Sequence, residues 1–367
     1  MHVHIVDPSA FTPPYDHALS SALARAGAEV ELITSRFGYG DVPEPDGYAV
    51  RELFYRHAPS RAGSRARTAG KLLEHVPDML RYRSLARRAD VVHFQWLAVQ
   101  SVDRWLLPDR PIVLTSHDLL PREPRPGQTW AQRRLYDAVD AVVVHSGYGR
   151  DLLVRQLGVD PAKVRVIHHG AFTHLTVQEH ELALPDELRA VESPVVLFFG
   201  LLRPYKGIET LLEAWRGVEG AELWIVGRPR MAIEPLRAAA PPGVRFVPRF
   251  VSDAELPAFF RRADIVALPY SHTERLDWSG VLATALAFGR PTIVSDVGAF
   301  GEVAAAGAAR LVPPQDPGTL RAAITGLLEH PQEREALAWG ALSAVKGAYS
   351  WQVSARETLA LYRELVG

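Results

Sequence analysis

The sequence predicts an α/β fold of two doubly wound, parallel-sheet domains facing a central cleft, on three observations. Short apolar runs alternate with amphipathic stretches, the pattern of helices wound onto a parallel sheet. The pattern breaks at the polar stretch "PDELRAVESP" and then begins again. At 367 residues the chain exceeds one ordinary core and suits two domains.

In the first half the expected strands are "HVHIVD", "VELIT", "VVHF", "PIVLTSH", "AVVVH" and "VRVIHH". The first helix reads "DHALSSALARAG", with Asp16 as a possible cap and Gly27 as its stop. In the second half "PVVLFFG", "ELWIVG", "VRFVP", "DIVALPY", "PTIVSD" and "ARLVPP" follow in turn. The expected domains are 1–184 and 194–349, joined by a linker at 185–193, with a C-terminal helix at 350–367 crossing back to the first domain. Ligands of such sheets sit beyond the carboxyl ends of the strands, so chemistry is expected on the loops there.

Composition narrows the function classes. Net charge is −1, which gives no global reason to expect a nucleic-acid partner. There is no cysteine, so disulfides and thiolate metal sites are excluded. The start, "MHVHIVDPSA", lacks the features of a signal peptide, and no apolar run reaches the roughly 18 residues of a membrane span. The expectation is a cytoplasmic protein. Basic residues outnumber acidic ones across 51–88, where "GKLLEHVPDMLRYRSLARR" has apolar residues at helical spacing. That stretch is either a solvated basic helix or a peripheral contact with the inner membrane face.

Of the candidate groups, "FFGLLRPYKGIETLLEAW" comes first. A buried strand ends at Gly200 and a helix starts near Gly207, with Arg203 and Lys206 in the loop between. Two cations beside free backbone amides form a clamp for a diphosphate, unless both are plain solvated loop charges. Lys206 is one of only four lysines in an arginine-rich chain. In "ERLDWSGVLATALAFGRP" the pair Ser279-Gly280 opens a helix and offers amides to phosphate or sugar oxygens, or is a simple cap. Glu302, in "SDVGAFGEV", accepts from sugar hydroxyls or caps the next helix.

In the first half Tyr15, Asp16 and His17 follow the first strand as candidate ligand contacts, which a family resemblance given below makes acceptor contacts, with Asp16 as a helix cap and His17 as a first-turn residue in the other reading. Trp96 stacks on a ligand, the acceptor in the resemblance below, or fills the core, and His117 stands at the mouth of its strand. Adjacent His168 and His169 point to opposite faces of a strand, so a metal shared with His117 is not expected.

The set "RPYKG", "ADIVALPY", "SGVLATALAFGRPTIVSDVGAFGE" and "YSWQVSARETLALYREL", over nearly all of 194–367, resembles the nucleotide-sugar domain of family 4 glycosyltransferases. These are retaining enzymes of the GT-B fold, whose two domains are Rossmann-like. "ADVVHFQW", "VLTSHD", "DAVVVHS" and "VRVIHHGAF" stand in the matching order in the first half. The resemblance implies that Arg203 and Lys206 bind the donor diphosphate and act in catalysis, and that Ser279 and Gly280 supply amides. It further implies that His117 faces the donor sugar and acts in catalysis, that Glu302 lies near its hydroxyls, and that Arg249-Phe250 runs beside the base.

The chain departs from the family at one place. The two glutamates that the family commonly carries fall here on Leu276 and Thr284. Thr284 would then reach a ribose hydroxyl, and Glu274 or Asp277 would supply the missing charge from a shifted loop.

What the resemblance implies is transfer of a sugar from a nucleotide-diphosphate donor, a UDP- or GDP-sugar, to a hydroxyl acceptor: a sugar, a glycolipid or a small molecule. No cofactor or metal is expected, the nucleotide-sugar being a substrate. A phosphorylase or nucleotide-sugar epimerase of the same fold, or a non-catalytic sugar-nucleotide-binding protein, is the alternative.

Overall fold

The computed structural model describes residues 1–38, 42–59, 65–97, 99–120, 126–272 and 277–367. The chain divides into two compact units, Met1–His169 with Trp351–Gly367, and Gly170–Ser350.

The first unit holds seven parallel strands: β1 (His2–Asp7), β2 (Glu29–Ser35), β3 (Ala49–Phe54), β4 (Val91–Phe94), β5 (Ile112–Thr115), β6 (Ala141–Val144) and β7 (Val164–Val166), in the order β3-β2-β1-β4-β5-β6-β7. The second holds six: β8 (Val195–Phe199), β9 (Glu222–Val226), β10 (Val244–Val247), β11 (Ile265–Leu268), β12 (Thr292–Ser295) and β13 (Arg310–Val312), in the order β10-β9-β8-β11-β12-β13. The central strands are buried on both faces, which is why they read as continuous apolar runs. In each sheet the order reverses at one point, between β1 and β4 and between β8 and β11. Those switch points are where a doubly wound sheet leaves a crevice for a ligand.

All twelve expected strands form. The thirteenth, β3, pairs only with β2 and exposes Ala49, Val50, Arg51 and Glu52. Arg51 and Glu52 interrupt its apolar residues, as suits a sheet edge, and hide it from a search for apolar runs.

The chain leaves the first unit at His169, not at 184. Ala171 N–H donates to Tyr349 O at 2.8 Å, and Leu182 N–H to Ala254 O at 2.9 Å, so both segments belong to the second unit. The stretch expected as a linker forms the short helix Asp186–Arg189, held by buried Leu188 and by Arg262, which donates to Val191 O and Ser193 O. Its polarity marks an outer surface and not a joint.

The C-terminal helix Trp351–Val366 belongs to the first unit. It buries Trp351, Ala355, Leu359 and Tyr362 at helical spacing, and Ser354 Oγ donates to His168 O at 2.6 Å. The helix Arg65–Leu85 turns His75, Asp78, Met79 and Tyr82 inward and leaves Leu72, Leu73, Val76 and Leu80 exposed. Among the described residues no helix is long and apolar enough to cross a membrane.

Candidate functional site

The second unit gathers its candidates at the β8/β11 switch point. After β8 the chain turns at Gly200, and Pro204–Lys206 make one 3-10 turn capped by Gly207 at φ +70°. A Cβ on Gly207 would lie 1.7 Å from Pro269 O, so only glycine lets the two loops approach. That approach sets Lys206 against the end of β11. Its Nζ donates to Tyr270 Oη at 2.8 Å and lies 4.8 Å from the Tyr270 ring centroid. The same phenol oxygen is 3.1 Å from Ser279 Oγ, so ammonium, phenol and hydroxyl form a chain. Lys206 and Ser279 are each only 6% exposed, which excludes the reading of Lys206 as a solvated loop charge. At the start of the same turn, Arg203 has its Nε buried without a hydrogen-bond partner among the described residues.

Ser279 precedes the helix Gly280–Ala287 but makes no side-chain cap; its hydroxyl is turned to Tyr270 instead. Thr284, expected to reach a ribose, is buried and donates to Gly280 O at 2.9 Å, which leaves only a lone pair to accept. Asp277 is wholly buried, and its carbonyl accepts from Ala299 N–H at 3.2 Å; a replacement carboxylate pointing outward is not what it supplies. Glu274 and Leu276 lie outside the described residues. Glu302 opens the helix Phe300–Ala305. Burial, with the Glu302 charge nearby, pushes the Tyr349 phenol up to about 12. Arg249 is spent on Glu255, at 2.6 and 3.1 Å, and on Phe250 O at 3.0 Å, while the Phe250 ring stands half exposed. That occupied carbonyl narrows what the strand end offers a base.

The first unit brings its candidates together around Tyr15. His117 stacks on Trp96 with ring centroids 5.2 Å apart and meets Tyr15 edge-on at 4.7 Å. Its Nε2 lies 3.2 Å from Gln95 Oε1. Tyr15 also touches His145, His169 and Trp351, at 5.4, 4.9 and 5.1 Å. Tyr15 is thus the buried hub of an aromatic cluster, not an exposed acceptor contact, because four rings cover it. Burial, then the neighbouring His145, His169 and His93, holds the His117 imidazole well below its ordinary value, so it is neutral near pH 7. Burial likewise lowers His145 to about 4 and His93 to about 3.

Two other expectations are corrected here. Asp16 does not cap its helix, whose N-cap is Thr12, and it does not face outward. Its carboxyl accepts from Thr12 Oγ1 at 3.2 Å, and burial beside Asp7 raises it well above the usual carboxylate range. Asp7 accepts the amides of Ser9, Phe11 and Thr12 at 3.1, 2.6 and 3.1 Å, which shapes the loop after β1. His17 is buried with Nδ1 2.6 Å from Tyr48 Oη. Trp96 remains half-buried, its Nε1 donating to Thr12 Oγ1 at 2.9 Å. Sequence reasoning missed Tyr270, Gln95 and His145 as members of these groups. Each stands at or just past the carboxyl end of a strand, the one signal that could have found them.

The matches to known proteins agree with this geometry. Residues 15–174 match Glycosyltransferase Family 4, and residues 193–330 match Glycosyl transferases group 1. A D-inositol 3-phosphate glycosyltransferase of Jonesia denitrificans is 30% identical, over 94% of this chain and 88% of its own. One from Kineococcus radiotolerans is 28% identical, over 95% and 89%. Among solved structures, sucrose-phosphate synthase from Thermosynechococcus elongatus has a TM-score of 0.77 at 22% identity, covering 100% of this chain and 99% of that one. HepE from Anabaena, in complex with UDP and glucose, has a TM-score of 0.75 at 17% identity, covering 99% and 100%. With its two parallel sheets, its Lys206–Tyr270–Ser279 chain at the switch point of the second sheet and these full-length matches, the chain belongs to the family 4 glycosyltransferases and has the GT-B fold.

Proposed function

We propose that this glycosyltransferase moves a sugar from a nucleotide-diphosphate donor, a UDP- or GDP-sugar, to a hydroxyl acceptor with retention. The observation that carries the reading is the Lys206 ammonium, nearly buried, fixed by Tyr270 and standing beside the start of the helix Gly280–Ala287. A buried cation next to free helix amides favours a diphosphate and stabilises the charge that develops as it departs. Arg203, with an unpartnered Nε at the same turn, supplies a second cation. These groups take the place that a metal holds in other transferases, so turnover persists in a chelator. The departing phosphate then helps deprotonate the acceptor on the same face of the sugar. His117, neutral and held between Trp96 and Tyr15, offers a hydrogen bond to a sugar hydroxyl without competing for a proton.

Support for the donor class comes from the Anabaena neighbour, which holds UDP and glucose. Support for a phosphorylated polyol as acceptor comes from the relatives named for D-inositol 3-phosphate. The test is release of free nucleotide from a panel of UDP- and GDP-sugars with inositol phosphates and simple sugars, in the presence of EDTA. Release that requires an acceptor, with an NMR-assigned product of the donor's anomeric configuration, is the expected result. His117→Ala abolishes turnover while nucleotide binding persists. Acceptor-independent release, an inverted product, or full activity in that variant each contradicts part of the reading.

A further inference from the structure

The opposite end of the first sheet carries a second cluster. His2 and His4 are two apart on β1 and therefore share one face. Glu31 lies directly beside His4 in the register of β1 with β2. One ligand atom from each of these three side chains lies within 4.8 Å of the others, the one such group of three among the described residues.

Three details point to a ligand. His4 Nε2 and Glu31 Oε2 are 3.5 Å apart, too long for a hydrogen bond. Yet 3.5 Å is close to the edge of a tetrahedron whose metal–ligand bonds are about 2.0–2.1 Å. His4 is wholly buried, and its Nε2 has no hydrogen-bond partner among the described residues. Both imidazoles are oriented from behind: His2 Nδ1 meets Arg88 O at 2.8 Å, and His4 Nδ1 meets Tyr82 Oη at 3.3 Å. Second-side partners of this kind fix the ring and leave Nε2 free to bind a metal. Glu31 uses Oε1 for Arg51 at 2.6 Å and turns Oε2 to the histidines. Arg51 thus pairs with the Glu31 charge through Oε1, and Oε2 keeps its lone pairs for another ligand.

We propose that His2, His4 and Glu31 bind a divalent transition metal of zinc type, with water in the remaining position. Two imidazoles and one carboxylate suit zinc over magnesium or calcium, which prefer oxygen. The site lies at the amino ends of the strands, away from the carboxyl-end loops that hold the candidate transfer residues. Its role is a clamp joining β1, β2 and the turn at Arg88.

The test is equilibrium dialysis of EDTA-stripped protein against Zn2+, with Co2+ as the spectroscopic probe. The chain has 14 histidines, so uptake is judged against a variant and not by its mere presence. His2 and Glu31 are only partly buried, so His2→Ala and Glu31→Gln spare the core. The expected result is one equivalent bound by the wild type, with visible Co2+ bands of a tetrahedral site. Affinity falls at least about tenfold in either variant, since even outer partners of a metal site cost about that much. Equal uptake by wild type and variants, or no equivalent retained by the wild type, overturns the proposal.

Discussion

At the scale of single residues, the argument rests on one ammonium and what holds it. Lys206 Nζ has its place because Gly200 leaves room: a Cβ there would come within 3.2 Å of Nζ and 2.9 Å of Val281 Cγ2. Tyr270 then fixes the ammonium at 2.8 Å. If this cation meets the leaving diphosphate, Lys206→Met lowers kcat by about 10²–10³, the usual cost of losing one fixed donor at developing charge. Tyr270→Phe keeps the cation but loses the phenol's bonds to Lys206 and Ser279; a hydrogen bond to a charged group is worth about 1.5–3 kcal/mol, so kcat falls by about ten- to a hundredfold. Steady-state kinetics beside circular dichroism checks both, and a Tyr270→Phe loss as large as that of Lys206→Met would move the essential role to the phenol. The loop position of Arg203 and Lys206 between a buried strand and a helix was legible in the sequence, and the burial of Lys206 against Tyr270 is what the structure adds. Tyr270 was not, because its partner lies 64 residues away and no local pattern records that pairing. Asp16 was misread for the same reason: its state is set by burial and then by the charge of Asp7, on the preceding strand.

At the scale of elements, legibility followed burial. Strands enclosed on both faces announced themselves as apolar runs, whereas the edge strand β3 did not. The helix Arg65–Leu85 is the instructive case, since its sequence shows apolar residues at helical spacing without saying which of them face inward. The structure buries Met79 fully and leaves Leu73 80% exposed. Met79→Ala therefore costs about 2–5 kcal/mol by opening a cavity, while Leu73→Ser stays within about 0.5 kcal/mol of the wild type. Urea unfolding of the two variants reads that difference. Co-sedimentation of wild type and Leu73→Ser with anionic vesicles tests the membrane contact that 51–88 suggested. Equal binding of both would assign no role to the exposed stripe.

At the scale of the molecule, the buried titratable groups set how stability depends on pH. Burial lowers five histidines: His4 to about 4, His93 to about 3, His145 to about 4, with His117 and His174 lowered as well. Burial raises three carboxylates: Asp7, Asp16 and Asp253. The two sets act in opposite directions. As pH falls through the ordinary histidine value of 6.5, the unfolded chain takes up protons that the native imidazoles refuse, so stability is lost. Over the same window the native carboxylates keep protons that their unfolded forms, near 3.8, do not, which offsets part of the loss. His93 and His145, held at about 3 and about 4, stay unprotonated between pH 6.5 and 5, so the stability they contribute is full above 6.5 and declines as pH falls. Each unbalanced proton is worth about 1.4 kcal/mol per pH unit. Urea midpoints measured from about pH 7 down to about pH 5 should fall accordingly. His93→Gln removes one titrating group and flattens the slope by about 1.4 kcal/mol per unit, whatever it costs at neutral pH through the lost bonds to Thr115 and Tyr362. A midpoint that is flat or rises on acidification would mean that the carboxylates govern, with the Asp7–Asp16 pair as the dominant buried charge.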